Sequence, residues 1–297
     1  MKYRIEDFIR EPFIIEALAN PANRLIMVMG ASDTGKTTLI ECLVDFLSRK
    51  FRVGLVDLDM GQSHIGPPTT IAWGKVSRGF KGWGKIEVED FYFTGSVSPV
   101  GNLLPAMVGA RLMTDRALAV TDRVVVDTTG LVAEPMGRIL KQNKIDMLSP
   151  HVVLALEHSG ELEHILGAFR HCQSPKIFRI EVSSEVKTKT VTKRSLYRFE
   201  KIRDYFSDAE TIEVPLGDVG LRFVRETVRL SAASLRNRIV SLRDRKNKDI
   251  ALGIIKGIDS KEKTIMLLTP SVNAKFCSII IGRAEIDMKN STVRDKF

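Results

Sequence analysis

Cysteine is scarce and scattered in this chain. Cys42, Cys172 and Cys277 are the three in 297 residues. They are odd in number and form no CxxC pair, so neither a disulfide framework nor a cysteine zinc site is indicated. No apolar run approaches the ~18 residues needed to span a membrane. The start of the chain, Met1-Lys2-Tyr3-Arg4-Ile5-Glu6-Asp7, carries acids where a signal peptide would be apolar. A cytoplasmic protein without membrane contact is expected. Histidine offers no metal motif either: His158, His164 and His171 recur near one helix without an HExxH string or a third ligand at zinc spacing. Internal repeats and low-complexity segments are absent.

What the chain does have is a core and an uneven charge. Hydrophobic residues make up 44% of it, enough for a globular fold of one large domain and one small one. Residues 221–297 hold 17 Lys and Arg against 8 Asp and Glu, which accounts for the whole net charge of +9. A polyanion partner such as nucleic acid explains that excess, and a merely soluble basic surface explains it equally well.

The strongest signal is Gly30-Ala31-Ser32-Asp33-Thr34-Gly35-Lys36-Thr37-Thr38. An apolar run precedes it and an apolar helical stretch follows, which is the strand–loop–helix setting of a GxxxxGK[ST] phosphate-binding loop. Glycines let backbone N–H groups curl around phosphate oxygens, and the helix N-terminus adds positive potential. Gly30, Ser32, Asp33, Thr34, Gly35, Lys36, Thr37 and Thr38 are the expected nucleotide-binding residues. Lys36 can reach the β- and γ-phosphates, and the Thr37 hydroxyl can hold Mg²⁺.

Around this loop the elements alternate. After a short helical lead-in at residues 13–18, a second buried strand at 51–56 ends in Asp57-Leu58-Asp59. Ligands of open α/β sheets sit beyond the carboxyl ends of strands, so these acids belong at the nucleotide site. Residues 60–70 are too rich in Gly and Pro for a regular element. A strand at 86–93, a helix at 99–120 and a buried strand at 123–126 follow, the last delivering Asp127-Thr128-Thr129-Gly130 to the same edge. A helix to about residue 141, a strand at 151–156, a helix near 161–169 and a strand at 176–180 complete the pattern. This is the α/β class: a P-loop NTPase parallel sheet flanked by helices.

At residues 183–207 the character changes. Lys187, Lys189, Lys193, Arg194, Arg198, Lys201 and Arg203 face a single acid, Glu200, between positions 187 and 203. Either a solvated helix face or a basic lid over phosphates has this composition. A strand near 211–214 closes the P-loop domain, placed at 1–230. The remainder, 231–297, is read as a small β-rich basic domain with strands at 239–242, 250–257, 263–268 and 276–281.

Two activities compete for this layout. Asp127-Thr128-Thr129-Gly130 fits the DxxG pattern of a GTPase, and Asn143-Lys144-Ile145-Asp146 spells the guanine-reading NKxD. The second string is misplaced, 13 residues after Gly130 and within or just after a helix, so it reads as coincidence. The other activity comes with a family. Residues 30–38, Asp57-Leu58-Asp59-Met60-Gly61-Gln62, Asp127 to Gly130 and Lys193-Arg194-Ser195 through Arg198 to Phe206 resemble the polynucleotide 5′-hydroxyl kinases. That family includes the RNA-kinase subunit of the eukaryotic pre-mRNA cleavage complex and the pre-rRNA processing kinases. The tail is similar as well, at residues 253–259, 268–270 and 281–283, so the resemblance covers roughly 25–290. The DxDxGQ run is its most diagnostic piece, because a P-loop alone does not separate families.

The resemblance implies ATP and Mg²⁺ as cofactors and RNA or DNA 5′-OH ends as partners. It implies Asp59 as the base that accepts the hydroxyl proton, Asp57 as an organiser of Mg²⁺ through water, and Gln62 on metal or substrate phosphate. Thr128, Thr129 and Gly130 match the clasp on the substrate side. Arg194 and Arg198 match a lid that neutralises charge on the transferred phosphoryl. Lys36, Asp59, Arg194 and Arg198 are thus the expected catalytic set, with Thr37, Asp57 and Asp59 at the metal, and His64 near substrate. The sequence departs from the family twice. Leu131 stands where a base-stacking Trp usually follows the clasp Gly, leaving Trp73 and Trp83 as other aromatic surfaces. Fewer than 30 residues precede the P-loop, so the family's small N-terminal β domain is expected to be missing, which loosens nucleobase selectivity. A GTPase-like switch and a non-catalytic nucleic-acid-processing scaffold stand as the alternatives.

Overall fold

The computed structural model describes residues 3–183, 186, 188, 190–224, 232–271 and 275–296. In chain order the elements are α1 Pro12–Ala19, β1 Leu25–Gly30, α2 Lys36–Ser48, β2 Val53–Asp57, β3 Thr70–Val76, β4 Glu87–Phe93, α3 Leu103–Val120, β5 Arg123–Asp127, α4 Met136–Leu148 and β6 Val152–Glu157. They continue with α5 Glu163–Leu166, β7 Lys176–Glu181, α6 Val191–Tyr205, β8 Ala209–Pro215, β9 Gly220–Phe223 and α7 Ala232–Leu235. The last five strands are β10 Arg238–Arg243, β11 Asp249–Asp259, β12 Thr264–Pro270, β13 Ser278–Asp287 and β14 Thr292–Asp295.

The first sheet has the order β4-β3-β2-β5-β1-β6-β7. Strands β2, β5, β1, β6 and β7 run parallel, as the βα alternation requires. Its central strands are buried along their whole length because helices cover both faces. α1 and α2 pack on one face, with Leu39, Leu43 and Leu47 against Ile26, Val28 and Leu154. α3, α4 and α5 pack on the other, with Ala106, Ala110 and Met113 against Val56, Val124 and Val126. Parallel pairing brings Asp57 of β2 level with Asp127 of β5, so two carboxylates emerge side by side beyond the same edge.

The sheet departs from a purely parallel one at its β4 edge. β3 pairs antiparallel with β2, and β4 antiparallel with β3. β3 goes unread in the sequence because a Gly- and Pro-rich loop runs directly into it. A glycine also sits in its middle, where a Cβ on Gly74 would meet the Glu87 carbonyl oxygen of β4.

The second sheet has the order β14-β13-β10-β11-β12-β8, with β9 parallel to β13. The expected strand near 211–214 forms, but its partner is β12 of this sheet. The expected boundary near residue 230 falls within 225–231, outside the described residues, as do Lys187 and Lys189 of the basic stretch. Three of the tail's arginines are buried structural groups. Arg243 donates from Nε and Nη2 to the two Asp249 oxygens at 2.7 and 3.1 Å. Arg238 donates to the Gly282 and Ser234 carbonyls, and Arg283 is 3% exposed.

α6 is mounted on this second sheet. Its Thr190 N-cap accepts from the Lys193 N–H at 3.2 Å. Its apolar side, Phe199 and Ile202, enters a core with Phe93, Ile239, Leu252, Ile254 and Ile280. The Tyr205 hydroxyl accepts from the Leu252 N–H at 3.0 Å. The basic stretch is therefore a helix with one buried and one basic side. Among the described residues no helix is long and apolar enough to cross a membrane.

Ile202 is fully buried, so Ile202→Ala is expected to cost about 2–5 kcal/mol of stability. Val191, on the same helix but 79% exposed, should change stability by under about 0.5 kcal/mol when made alanine. Urea unfolding of the two variants checks this.

Candidate active site

The phosphate loop forms between β1 and α2. Gly35 takes φ +85°, a left-handed conformation that suits glycine, and starts α2. Within the loop, Lys36 Nζ donates to the Ala31 carbonyl at 2.5 Å and Thr34 Oγ1 to the same oxygen at 3.0 Å. Burial pushes the Lys36 ammonium below the usual lysine range, while Asp127, Asp59 and Asp33 pull it back up. A lysine so surrounded has strong reason to exchange a carbonyl for a phosphate oxygen.

Two segments close on this loop. Arg194 of α6 pairs with Asp33 at 2.5 Å. On the other side, Gly130 lies so close to Ser32 that a Cβ there would stand 2.7 Å from the Ser32 nitrogen. The Thr128 hydroxyl donates to the Val28 carbonyl of β1 at 2.9 Å, fixing the turn against the loop's own strand.

The segment after β2 is folded by its first acid. Asp57 is fully buried; Oδ1 accepts from the Asp59 N–H at 2.9 Å. Its Oδ2 accepts from Ser63 Oγ at 3.0 Å and the His64 N–H at 2.6 Å. Asp59 is half-buried, and its Oδ1 accepts from the Gly61 and Gln62 N–H groups at 3.0 and 2.9 Å. Gln62 Nε2 donates to the Arg194 carbonyl at 3.1 Å, and Tyr197 Oη to the Ser63 carbonyl at 2.9 Å, so this loop and α6 are tied together. The His64 ring packs against Trp83 in a tilted arrangement, with centroids 4.7 Å apart. Trp83 is thus an aromatic neighbour of the site, while Trp73 is buried in the core. Arg198 faces inward: burial lowers its affinity for the proton, Asp59 opposes that first, and its Nε has no hydrogen-bond partner among the described residues.

The structure adds residues that the motifs do not name. Asp127, at the end of β5, is buried with Oδ1 unpartnered among the described residues. Burial and then the neighbouring Asp57 charge push its carboxyl up to about 8, against the pull of Lys36. Both Asp57 oxygens already hold the loop, whereas Asp127 Oδ1 has no protein partner among the described residues. Lys141 and Lys144 of α4 are fully buried beneath the same acids. Lys141 Nζ donates to Thr128 Oγ1 at 2.7 Å and the Thr129 carbonyl at 2.5 Å. Burial pushes Lys144 down to about 8 against the pull of Asp59, Asp127 and Asp57. The sequence hides both, because lysines on a helix ordinarily face water. The NKxD string dissolves here too: Asn143 and Asp146 are exposed on α4, while Lys144 and Ile145 turn inward.

No group of three or more His, Cys, Asp or Glu placed to hold a metal ion by itself occurs among the described residues. A cavity of about 330 Å³ flanks the phosphate loop, lined by Tyr3, Phe8, Gly35, Thr38, Ser183 and Val186.

The family described as mRNA cleavage and polyadenylation factor CLP1 P-loop matches residues 30–208, more than half of the chain. The chain belongs to that family. It is 31% identical to the polyribonucleotide 5′-hydroxyl-kinase of Pyrococcus abyssi over 92% of this chain and 90% of that protein. It is 34% identical to the one of Methanocaldococcus jannaschii, over 65% of this chain and 53% of that protein. Among solved structures, CLP1-family likeness extends to the whole fold. The wild-type Clp1p–Pcf11p complex superimposes with a TM-score of 0.71 at 15% identity, over 92% of this chain and 77% of that one. The fold with its second sheet is therefore shared, including the part beyond residue 208.

Gly130→Ala should force the clasp turn off Ser32, lowering nucleotide affinity at least tenfold and stability by about 1–3 kcal/mol; calorimetric titration and melting check both. Asp127 has a second consequence. Its raised pKa means that its folded form holds a proton the unfolded chain has lost. Its contribution to stability is therefore full below about pH 4 and is lost as pH rises towards 8. In divalent-free buffer, Asp127→Asn should melt higher than wild type at pH 8, with a gap that shrinks towards pH 5.

Proposed function

We propose that this protein is a polynucleotide 5′-hydroxyl kinase, moving the γ-phosphoryl of ATP, or of another nucleoside triphosphate, to the 5′-OH of RNA or DNA. The observation that carries the reading is the convergence on Asp59. One of its oxygens is fixed by two backbone N–H groups, and its charge reaches Lys36 of the phosphate loop and Arg198 of α6. A carboxylate held between two cations, one at each end of a polyphosphate, suits a base for an in-line attack. The names of the relatives from Pyrococcus abyssi and Methanocaldococcus jannaschii support the activity and favour RNA.

In this mechanism the 5′-hydroxyl oxygen attacks the γ-phosphorus while its proton passes to Asp59 Oδ2. The bond from γ-phosphorus to the β–γ bridging oxygen breaks, and the nucleoside diphosphate leaves. Lys36 and the N-terminus of α2 hold the β- and γ-oxygens. Arg194 and Arg198 face the transferred group, where their charge offsets what accumulates on its oxygens. Thr128, Thr129 and Gly130 bound the acceptor side, with Gln62 and His64 along the same cleft. Thr37, Asp59 and Asp127 fit a Mg²⁺ held mainly by the nucleotide: a hydroxyl at the helix start and a buried carboxylate oxygen without a protein partner suit a hard cation. Bound Mg²⁺ would supply neutralisation of the phosphate charge. Asp57 then serves by shaping the loop that carries Asp59.

The cavity beside Tyr3 and Phe8 is where the nucleobase fits. Its rings and aliphatic groups offer stacking more than directed hydrogen bonds, so discrimination by base should be weak.

The test is transfer of labelled γ-phosphate from ATP and GTP to 5′-OH RNA and DNA oligonucleotides. Wild type should label the oligonucleotide only with Mg²⁺ present, with kcat/KM for ATP and GTP within about tenfold of each other. Asp59→Asn should lose about 10²–10⁴-fold in rate while still binding nucleotide, and Lys36→Ala should lose both. Phosphate released without labelled oligonucleotide would favour a nucleotide switch, and no turnover with retained binding would favour a scaffold.

A further inference from the structure

The two buried lysines of α4 take no part in the mechanism above. Lys141 and Lys144 are three residues apart and so share one face of the helix, and both are fully buried. Side chains on a helix lean towards its N-terminus, which for α4 is the end that follows the Thr128–Gly130 turn. Both ammonium groups are thereby carried up beneath the acids at the carboxyl edge of the sheet.

Their situations differ. Lys141 is satisfied by the Thr128 hydroxyl and the Thr129 carbonyl. Lys144 Nζ has no hydrogen-bond partner among the described residues, and neither does the buried Oδ1 of Asp127. The groups whose charges reach Lys144 are Asp59, Asp127 and Asp57, with Asp59 foremost. Lys141 and Lys36 are the other cations packed around this cluster. An unpaired buried ammonium is costly, and an apolar side chain of the same length would fill the space at less cost. Folding therefore gives no reason for a lysine at this position. The acids do. Three carboxylates gather where a polyphosphate is to be received, and positive charge under them opposes both their mutual repulsion and their repulsion of the incoming anion.

We infer that Lys144 is a positioning residue of the phosphoryl-transfer site, holding the Asp59 and Asp127 carboxylates from below while Lys141 holds the Thr128–Thr129 turn. This rests on the kinase reading. It assigns Lys144 no contact with substrate: it acts through the acid that takes the proton and the acid beside the cation.

The experiment uses the full chain and the same labelled-oligonucleotide assay, run on wild type, Lys144→Met and Lys144→Gln, with melting temperatures measured alongside. The expected result for both variants is a kcat lowered about 10–100-fold, a KM for nucleotide within about threefold of wild type, and a melting temperature equal to or above it. Unchanged kcat in both variants would overturn the inference. So would a fall of about 5 °C or more in both, or failure of both to fold, since either marks a structural lysine. If wild type itself labels no oligonucleotide, the kinase reading falls first and the inference with it, and the wild-type lane alone reports that.

Discussion

The site depends on one electrostatic constraint, the burial of opposite charges in close quarters at the carboxyl edge of the first sheet. Asp57, Asp59 and Asp127 stand against Lys36, Lys141 and Lys144, and four of these six side chains are almost fully removed from water. Isolated, each would be too costly to bury. Together they are tolerable only because backbone and hydroxyl groups absorb part of the charge. Asp57 accepts from the Asp59, His64 and Ser63 groups, and Lys141 donates to Thr128 and Thr129. The conformation of the DxDxGQ loop is thus a consequence of satisfying a buried carboxylate, and the position of Asp59 follows from the fold of that loop.

The second sheet enters through α6. A basic helix lying alone over a phosphate site would have little to hold it in place, since exposed ion pairs contribute little. Here the helix is amphipathic, and its apolar side belongs to the core of the second sheet through Phe199 and Ile202. Arg194 and Arg198 are thereby presented to the first sheet by a rigid support. The two sheets are joined near this helix as well: the Phe93 N–H donates to Asp249, and the Arg283 N–H to the Gly95 carbonyl. The C-terminal residues that look, by composition, like a separate polyanion-binding module are in part the mount for α6.

How much of this the sequence reveals follows from how local each feature is. The phosphate loop, the DxDxGQ run and the strands β1, β2, β5 and β6 are encoded in short contiguous stretches, and these are legible to within a residue or two. β9 and β14 are not assignable in the same way, and β8 is legible as a strand but not as a member of the second sheet, because no local pattern names a partner. Lys141, Lys144, Arg238 and Arg243 mislead for a related reason. Charge read along a sequence carries no burial, so side chains that satisfy interior acids and carbonyls look like a solvated or nucleic-acid-facing surface. Asp127 is legible as a strand-end acid, but its unpartnered oxygen is visible only in three dimensions.

Three consecutive residues of the phosphate loop each touch a different part of the machinery. The Ala31 carbonyl accepts from Lys36, Ser32 abuts Gly130 of the turn after β5, and Asp33 pairs with Arg194 of α6. Phosphate oxygens are stronger acceptors than a carbonyl and carry more charge than a single carboxylate, so a polyphosphate in this loop competes for both Lys36 and Arg194. The Arg194 carbonyl in turn holds Gln62, and Gln62 shares with Gly61 the backbone grip on Asp59. The phosphate loop is thereby connected to Asp59 through contacts of two or three residues. With α6 held in the second core at Phe199 and Ile202, this short chain of bonds from the phosphate loop to Asp59 is anchored on the second sheet.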